Sequence, residues 1–287
     1  MGIIITSIGG KIAIPLNFDI IKGKFRIMVA NEDHYTQGGS MDRRKALIFD
    51  MDGTMFDTEP IFYRFWREIS ARYGYDLDRT VYDKIAGRDN VRTRFVCEEA
   101  FGPDYPYDKV CQEEVALQMD YYRHHDIPFK PGLCQVLDYA RKEGLLCAVA
   151  SSSPPSMIEY LLERKGIASF FDVVQSGEEV PHGKPDPDIF LIACEKLGVL
   201  PETALVMEDS ENGILAAHRA GIPSIWIPDM VEIDKEVQAM AWHICQSLAE
   251  VPDLLEKNTP GTDCFQSRTV SVKCCGRRVF QGARLVV

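Results

Sequence analysis

Residues 45–54 read Lys45-Ala46-Leu47-Ile48-Phe49-Asp50-Met51-Asp52-Gly53-Thr54. An unbroken apolar run ends in two carboxylates one residue apart, and a glycine follows. The run predicts a buried strand near 46–50. In open α/β sheets the ligand crevice lies beyond the carboxyl ends of the strands, which would put Asp50 at the mouth of a site. Gly53 lets the chain turn sharply and bring Asp52 beside it. Two acids this close repel unless a cation sits between them or one is protonated. Asp-x-Asp-Gly is also a common surface turn. Delivery by a fully apolar strand, with its desolvation cost, favours a site.

The same grammar recurs downstream. The run 145–150 leads into Ser151-Ser152-Ser153-Pro154, and 204–207 into Glu208-Asp209-Ser210. Further strands are expected near 171–175 and 224–228. The helical patterns between them stop at Glu143-Gly144, Lys165-Gly166, Leu197-Gly198 and Ala220-Gly221, each with a basic residue just upstream. Glycine past the last turn and cations within it are C-terminal helix signals. Strands alternating with such helices predict an α/β fold with a mainly parallel, Rossmann-like sheet.

If the strands bearing Asp50 and Glu208 are parallel neighbours, Glu208 and Asp209 face Asp50 and Asp52 across the crevice. Such oxygen donors suit Mg²⁺. Helix capping explains one acid of the second pair, but not two. Ser151 and Ser152, with free N–H groups beside them, form an anion site or simply a helix cap. Lys184, in Gly183-Lys184-Pro185-Asp186-Pro187-Asp188, is either a solvated charge or an ammonium placed for Asp50 and a phosphate.

About 90 residues separate the first two strands, too many for a simple crossover. Ile61, Phe62, Phe65, Trp66 and Ile69 recur there at helical spacing, and Val91, Phe95, Val110, Val115 and Met119 suggest more helices. The reading is a helical insert over 59–126, with the aromatic stripe as core packing. The catalytic core takes 45–58 and 127–255. Residues 1–44 form an N-terminal extension and 256–287 a tail, both expected to order poorly. Alternation from Phe25 to Val29 hints at a short strand. Met41 precedes the first clear strand, so the minimal folded unit is expected to begin there. The tail from 258 holds five bases against one acid, a pattern of either an interaction arm or an idle terminus.

The 287 residues carry a net charge of -11, with 46% hydrophobic and 26% charged residues. That balance disfavours nucleic acid and anionic membranes as partners. The nine cysteines show no CxxC pair, consistent with thiols in a reducing cytoplasm. No apolar run is long enough for a membrane helix. The apolar start lacks a basic segment before it, so a signal peptide is not expected.

Together the motifs FDMDGTMFDTEP, ASSS, GKPDPDIF and EDSENGILAAHRAGI, spread over 45–255, resemble the haloacid dehalogenase-like superfamily, in its β-phosphoglucomutase and sugar-phosphatase branch. The resemblance implies that Asp50 attacks phosphorus and that Asp52 serves as general acid and base. It implies that Asp50, the Asp52 carbonyl and Asp209 hold Mg²⁺, with Glu208 as a further or water-mediated ligand. Ser151 and Lys184 would bind phosphate, and the insert would be a cap that selects a small phosphorylated metabolite. Asp52 favours phosphate transfer over carbon–halogen cleavage, because dehalogenating members lack this second Asp. Similar mutases carry His five residues beyond the Asp matched by Asp57, where this chain has Phe62. They also carry Arg in a later cap loop, where Asn90 aligns and Arg88 is near. Thr54 too fits the phosphatases better. The expectation is therefore a phosphatase, monomeric or weakly dimeric. A phosphohexose mutase is the alternative, and a non-catalytic binding protein a third reading.

Overall fold

The computed structural model describes strand backbones within residues 3–29, then residues 44–88 and 90–258. The chain divides into two compact units, Met1–Ser40 with Gly261–Val287, and Met41–Pro260. In the first, β1 (Ile3–Ser7) pairs antiparallel with β2 (Gly10–Ile14), and β3 (Leu16–Ile21) with β4 (Lys24–Val29). The alternation noted from Phe25 marks β4. The basic tail beyond residue 258 lies outside the described residues.

The second unit is built on β5 (Ala46–Phe49), β6 (Leu146–Ser151), β7 (Val173–Ser176), β8 (Ala204–Glu208), β9 (Ser224–Trp226) and β10 (His243–Ile244). All pair in parallel, in the order β10-β9-β8-β5-β6-β7. Its first five strands fall where the apolar runs predict them. Strand β10 is short and exposed, and so leaves no hydrophobic signal.

The central strand shows why an unbroken apolar run is needed here. Successive side chains point to opposite faces. Leu47 and Phe49 enter one hydrophobic cluster, with α5 (Leu133–Glu143), α6 (Pro155–Arg164) and α10 (Val251–Asn258). Ala46 and Ile48 enter the other, with α7 (Asp188–Leu197) and α8 (Glu211–Arg219). A parallel sheet covered on both faces has no polar side to show. Each large side chain so buried contributes roughly 1.5–3 kcal/mol. Helix α10 carries regular structure past the expected core boundary at 255.

Between β5 and α5 lie α1 (Glu59–Arg72), α2 (Arg79–Ile85), α3 (Asn90–Phe101) and α4 (Tyr107–His124). They share a cluster of their own around Ile69, Leu77, Tyr82 and Val110. Phe65 and Ile69 of the aromatic stripe are buried in packing, as expected. Val91 and Phe95 lie on α3 but are 78% and 68% exposed, so their spacing marks the helix without marking a core face. The segments entering and leaving the four helices lie together. Phe56 and Phe129 form an antiparallel bridge. The Asp57 N–H donates to the Pro128 carbonyl at 3.0 Å, and that of Lys130 to Met55 at 2.9 Å.

Candidate active site

Register places the acids together. Strands β5 and β8 are direct neighbours, with Phe49 opposite Met207, so Asp50 and Asp209 emerge at one end of the sheet. On the other side β6 pairs with β5 and ends in Ser151. Asp50, Asp52, Ser151, Ser152, Lys184, Glu208 and Asp209 all line one cavity of about 680 Å³.

Lys184 is the organising cation. It is 1% exposed, and its ammonium donates to Asp50 Oδ1 at 2.5 Å, Glu208 Oε1 at 2.7 Å and the Ala150 carbonyl at 3.0 Å. Burial works against its charge, but Asp50 and Glu208 outweigh that and hold the pKa above the ordinary lysine value. Its loop is clasped from two helices. Arg92 of α3 donates to the carbonyls of Gly183 and Lys184 and to Asp186, while Arg219 at the end of α8 reaches the Pro185 carbonyl.

The acids are buried in excess of the cation. Asp50 is raised well above the usual carboxylate range, first by burial and then by Glu208 and Asp52, against the opposing pull of Lys184. Asp209 is raised likewise by burial and by repulsion from Glu208 and Asp50. It accepts a hydrogen bond from Thr54 Oγ1 at 2.8 Å. Asp52 is raised by burial, against hydrogen bonds that favour its ionised form. These come from Thr58 Oγ1 at 2.9 Å, Ser153 Oγ at 2.7 Å and Ser151 Oγ at 3.4 Å.

Gly53 permits this crowding. Its φ is +80°, and a Cβ there would stand 2.3 Å from Asp209 Oδ2. Helix α8 comes as close on the other side, since a Cβ on Gly213 would meet Glu208 Oε1 at 1.7 Å. Ser210 caps that helix, accepting from the Gly213 N–H at 3.0 Å, which frees Asp209 from capping.

Two of the expected metal donors, Glu208 and Asp52, have carboxylates engaged by protein groups. Glu208 has both oxygens engaged, Oε1 by Lys184 and Oε2 by the N–H and hydroxyl of Ser210, so it anchors the lysine instead. The Asp52 carboxylate faces the hydroxyls, which leaves its backbone carbonyl as the donor the resemblance named. Ser152 lines the cavity half-buried. Sequence reasoning missed Thr54 as a partner of Asp209, and Thr58 and Ser153 as partners of Asp52. It also missed two buried carboxyls on the helical wall, Glu59 and Glu114.

The family model of the haloacid dehalogenase-like hydrolases matches residues 44–221. The chain belongs to this family. Among curated relatives of this hydrolase, the phosphorylated carbohydrates phosphatase of Thermotoga maritima is 31% identical, covering 63% of this chain and 84% of the relative. Hexitol phosphatase B of Escherichia coli K12 is also 31% identical, covering 64% and 83%. Among solved structures, CbbY from Rhodobacter sphaeroides in complex with phosphate is 28% identical with a TM-score of 0.65, covering 72% of this chain and 96% of that one. A β-phosphoglucomutase-like protein from Thermotoga maritima is 27% identical with a TM-score of 0.58, covering 74% and 99%. No helix among the described residues of this hydrolase is long and apolar enough to cross a membrane.

A divalent cation fits the donor set of this hydrolase. Asp50 and Asp209 are carboxyls raised first by burial and then by neighbouring acids, and the one buried ammonium among the described residues is committed to Asp50 and Glu208. No three acid, imidazole or thiol side chains among the described residues converge into a cage. Mg²⁺ needs no such cage, because it binds through one or two carboxylates, waters and substrate phosphate.

Burial pushes Glu59 up to about 7, against the hydrogen bond from Tyr82, and Glu114 up to about 8, against that from Gln118. Both carboxyls hold protons more tightly folded than unfolded. Their contribution is thus fully present below the unfolded carboxylate value and is lost as pH rises through about 7 and about 8. Thermal melts of the protein in EDTA are expected to show Tm falling by several degrees between pH 5 and pH 8.5, roughly 2–4 °C for each kcal/mol lost. Glu114→Gln should flatten that slope. A Tm that climbs with pH would contradict the burial of these acids.

Proposed function

We propose that the chain is a Mg²⁺-dependent phosphatase of small phosphorylated metabolites, sugar phosphates in particular, acting through an aspartyl-phosphate intermediate. The observation that carries this reading is the division of labour between the paired acids. Asp50 is gripped by Lys184, while Asp52 accepts from the hydroxyls of Thr58, Ser153 and Ser151. This supports the reading of Asp50 as nucleophile and of Asp52 as acid and base.

An Asp50 carboxylate oxygen attacks phosphorus, and the bond to the substrate oxygen breaks. Asp52 gives its proton to that leaving oxygen. Asp52 then takes a proton from a water, whose oxygen attacks the phosphoryl group and releases Asp50 and inorganic phosphate. Lys184 neutralises phosphate charge, and Ser151 and Ser152, which line the cavity, are the groups that would bind the phosphoryl oxygens. Asp50, Asp209 and the Asp52 carbonyl are the residues that would hold Mg²⁺. When bound, the metal supplies positive charge for the phosphate and for Asp50 in the crowded acid cluster.

Support comes from the relatives, named for phosphatase activity on phosphorylated carbohydrates and hexitols. It comes also from Phe62, which lines the cavity where mutases resembling this chain carry His. The test is a panel of phosphorylated sugars incubated with Mg²⁺, following free phosphate. Free phosphate is expected to accumulate from sugar monophosphates, and EDTA to reduce its release by at least about a hundredfold. Isomerised sugar phosphate without release would instead assign the chain to the mutases. No turnover of any ester would favour a binding role.

A further inference from the structure

The cavity has two unlike walls. The sheet end carries the phosphate chemistry. The wall formed by the helices between β5 and α5 presents Glu59 from α1 and Glu114 with Gln118 from α4. Glu114 is 3% exposed and Gln118 5%, and the Gln118 amide donates to Glu114 Oε1. Glu59 Oε2 accepts from the Tyr82 hydroxyl at 2.6 Å. Each buried carboxyl is thus hydrogen-bonded to a neutral group; Arg79 acts on Glu59 electrostatically, and among the described residues no cation acts on Glu114. Lys84 and Arg88 also line the cavity, but Lys84 is exposed and Arg88 half-buried. Among the described lining residues, Lys184 is the sole buried cation, and Asp50 and Glu208 already hold it.

A wall of this kind recognises some chemistry well and some badly. Carboxyl and carboxamide groups accept from and donate to hydroxyls. A phosphate or carboxylate brought here loses its hydration and meets no buried positive charge. An ionised Glu114 repels it, and a protonated Glu114 gives it only a neutral donor. Phe62 and Trp66 on α1 add apolar faces for the C–H side of a sugar or polyol.

We propose that Glu114, with Gln118, is a specificity-determining residue that reads hydroxyl groups of the leaving alcohol and excludes a second anionic group. The substrates are then monophosphates of neutral polyols or sugars, and not bisphosphates or phosphorylated acids. This rests on the hydrolase reading above and deepens it.

The experiment compares hydrolysis of a hexitol monophosphate, a hexose bisphosphate and p-nitrophenyl phosphate by the full chain with Mg²⁺. For the wild type, kcat/KM for the monophosphate is expected to exceed that for the bisphosphate by at least about tenfold. Glu114→Leu should raise the KM for the monophosphate by about tenfold, because a hydroxyl partner is lost. Glu114→Lys should shift the ratio toward the bisphosphate by about tenfold. Equal or reversed wild-type preference overturns the proposal by itself, whether or not the variants fold. A KM unchanged in a folded Glu114→Leu overturns it as well. Absence of p-nitrophenyl phosphate hydrolysis would sink the hydrolase reading. Its presence without the monophosphate preference would sink this inference alone.

Discussion

Asp50→Asn is expected to reduce phosphate release by at least about a thousandfold, since no neighbouring group can take over the nucleophile's position. The same variant is expected to keep its fold, with Tm within a few degrees of wild type. The reason is electrostatic. Asp50 is destabilised where it stands, by burial first and by Glu208 and Asp52 second. An amide of the same shape relieves that repulsion and still offers an oxygen to the Lys184 ammonium. Acid-quenched reactions with labelled substrate provide the second readout. Wild type should carry a hydroxylamine-sensitive phosphoryl group, and Asp50→Asn none. Turnover equal to wild type in a correctly folded variant would end the case for covalent catalysis at this residue.

Lys184→Met carries the largest expected stability effect. Its ammonium is buried between Asp50 and Glu208, and both carboxylates lose their counter-charge together. Removing one side of a buried ion pair costs about 3–5 kcal/mol. For a folded unit of this size that corresponds to a Tm drop of roughly 10 °C. Activity should fall with it, because the phosphate loses its fixed positive partner. Calorimetric melts of Lys184→Met, Asp50→Asn and the double variant separate the terms. The double variant should melt above Lys184→Met, since one orphaned charge has been removed. If Lys184→Met melts with wild type, the lysine is not the organiser described above.

The site was legible where burial and charge contradict each other along one strand. Residues 46–52 and 204–209 show that contradiction openly, and parallel pairing of β5 with β8 did the rest. Lys184 was legible only in company, since a lysine in a proline-rich loop usually faces water. The hold of Glu208 on Lys184 and Ser210 was not legible, because it depends on how closely α8 approaches, and that depends on Gly213. Thr58 lay within a quoted motif, but a threonine before a helix reads first as a cap. In the structure no side-chain cap bond forms there, and the hydroxyl turns to Asp52. Glu114 was illegible for a different reason. It stands beside Glu113 in a polar stretch, and only the register of α4 turns it inward with Val110, Gln118 and Tyr122.

The bridge between Phe56 and Phe129 bears on how the chain reaches this state. Strands β5 and β6 must pair across the whole helical insert, and closing so long a loop costs entropy that grows with the logarithm of its length. The insert has a hydrophobic cluster of its own, and its two ends meet at that bridge. Once the four helices collapse, the effective loop shrinks to residues 50–55 on the β5 side and 130–145, which include α5, on the β6 side. The segment that lines the cavity is therefore expected to serve also as a folding staple, bringing the central strands of the sheet within reach of each other.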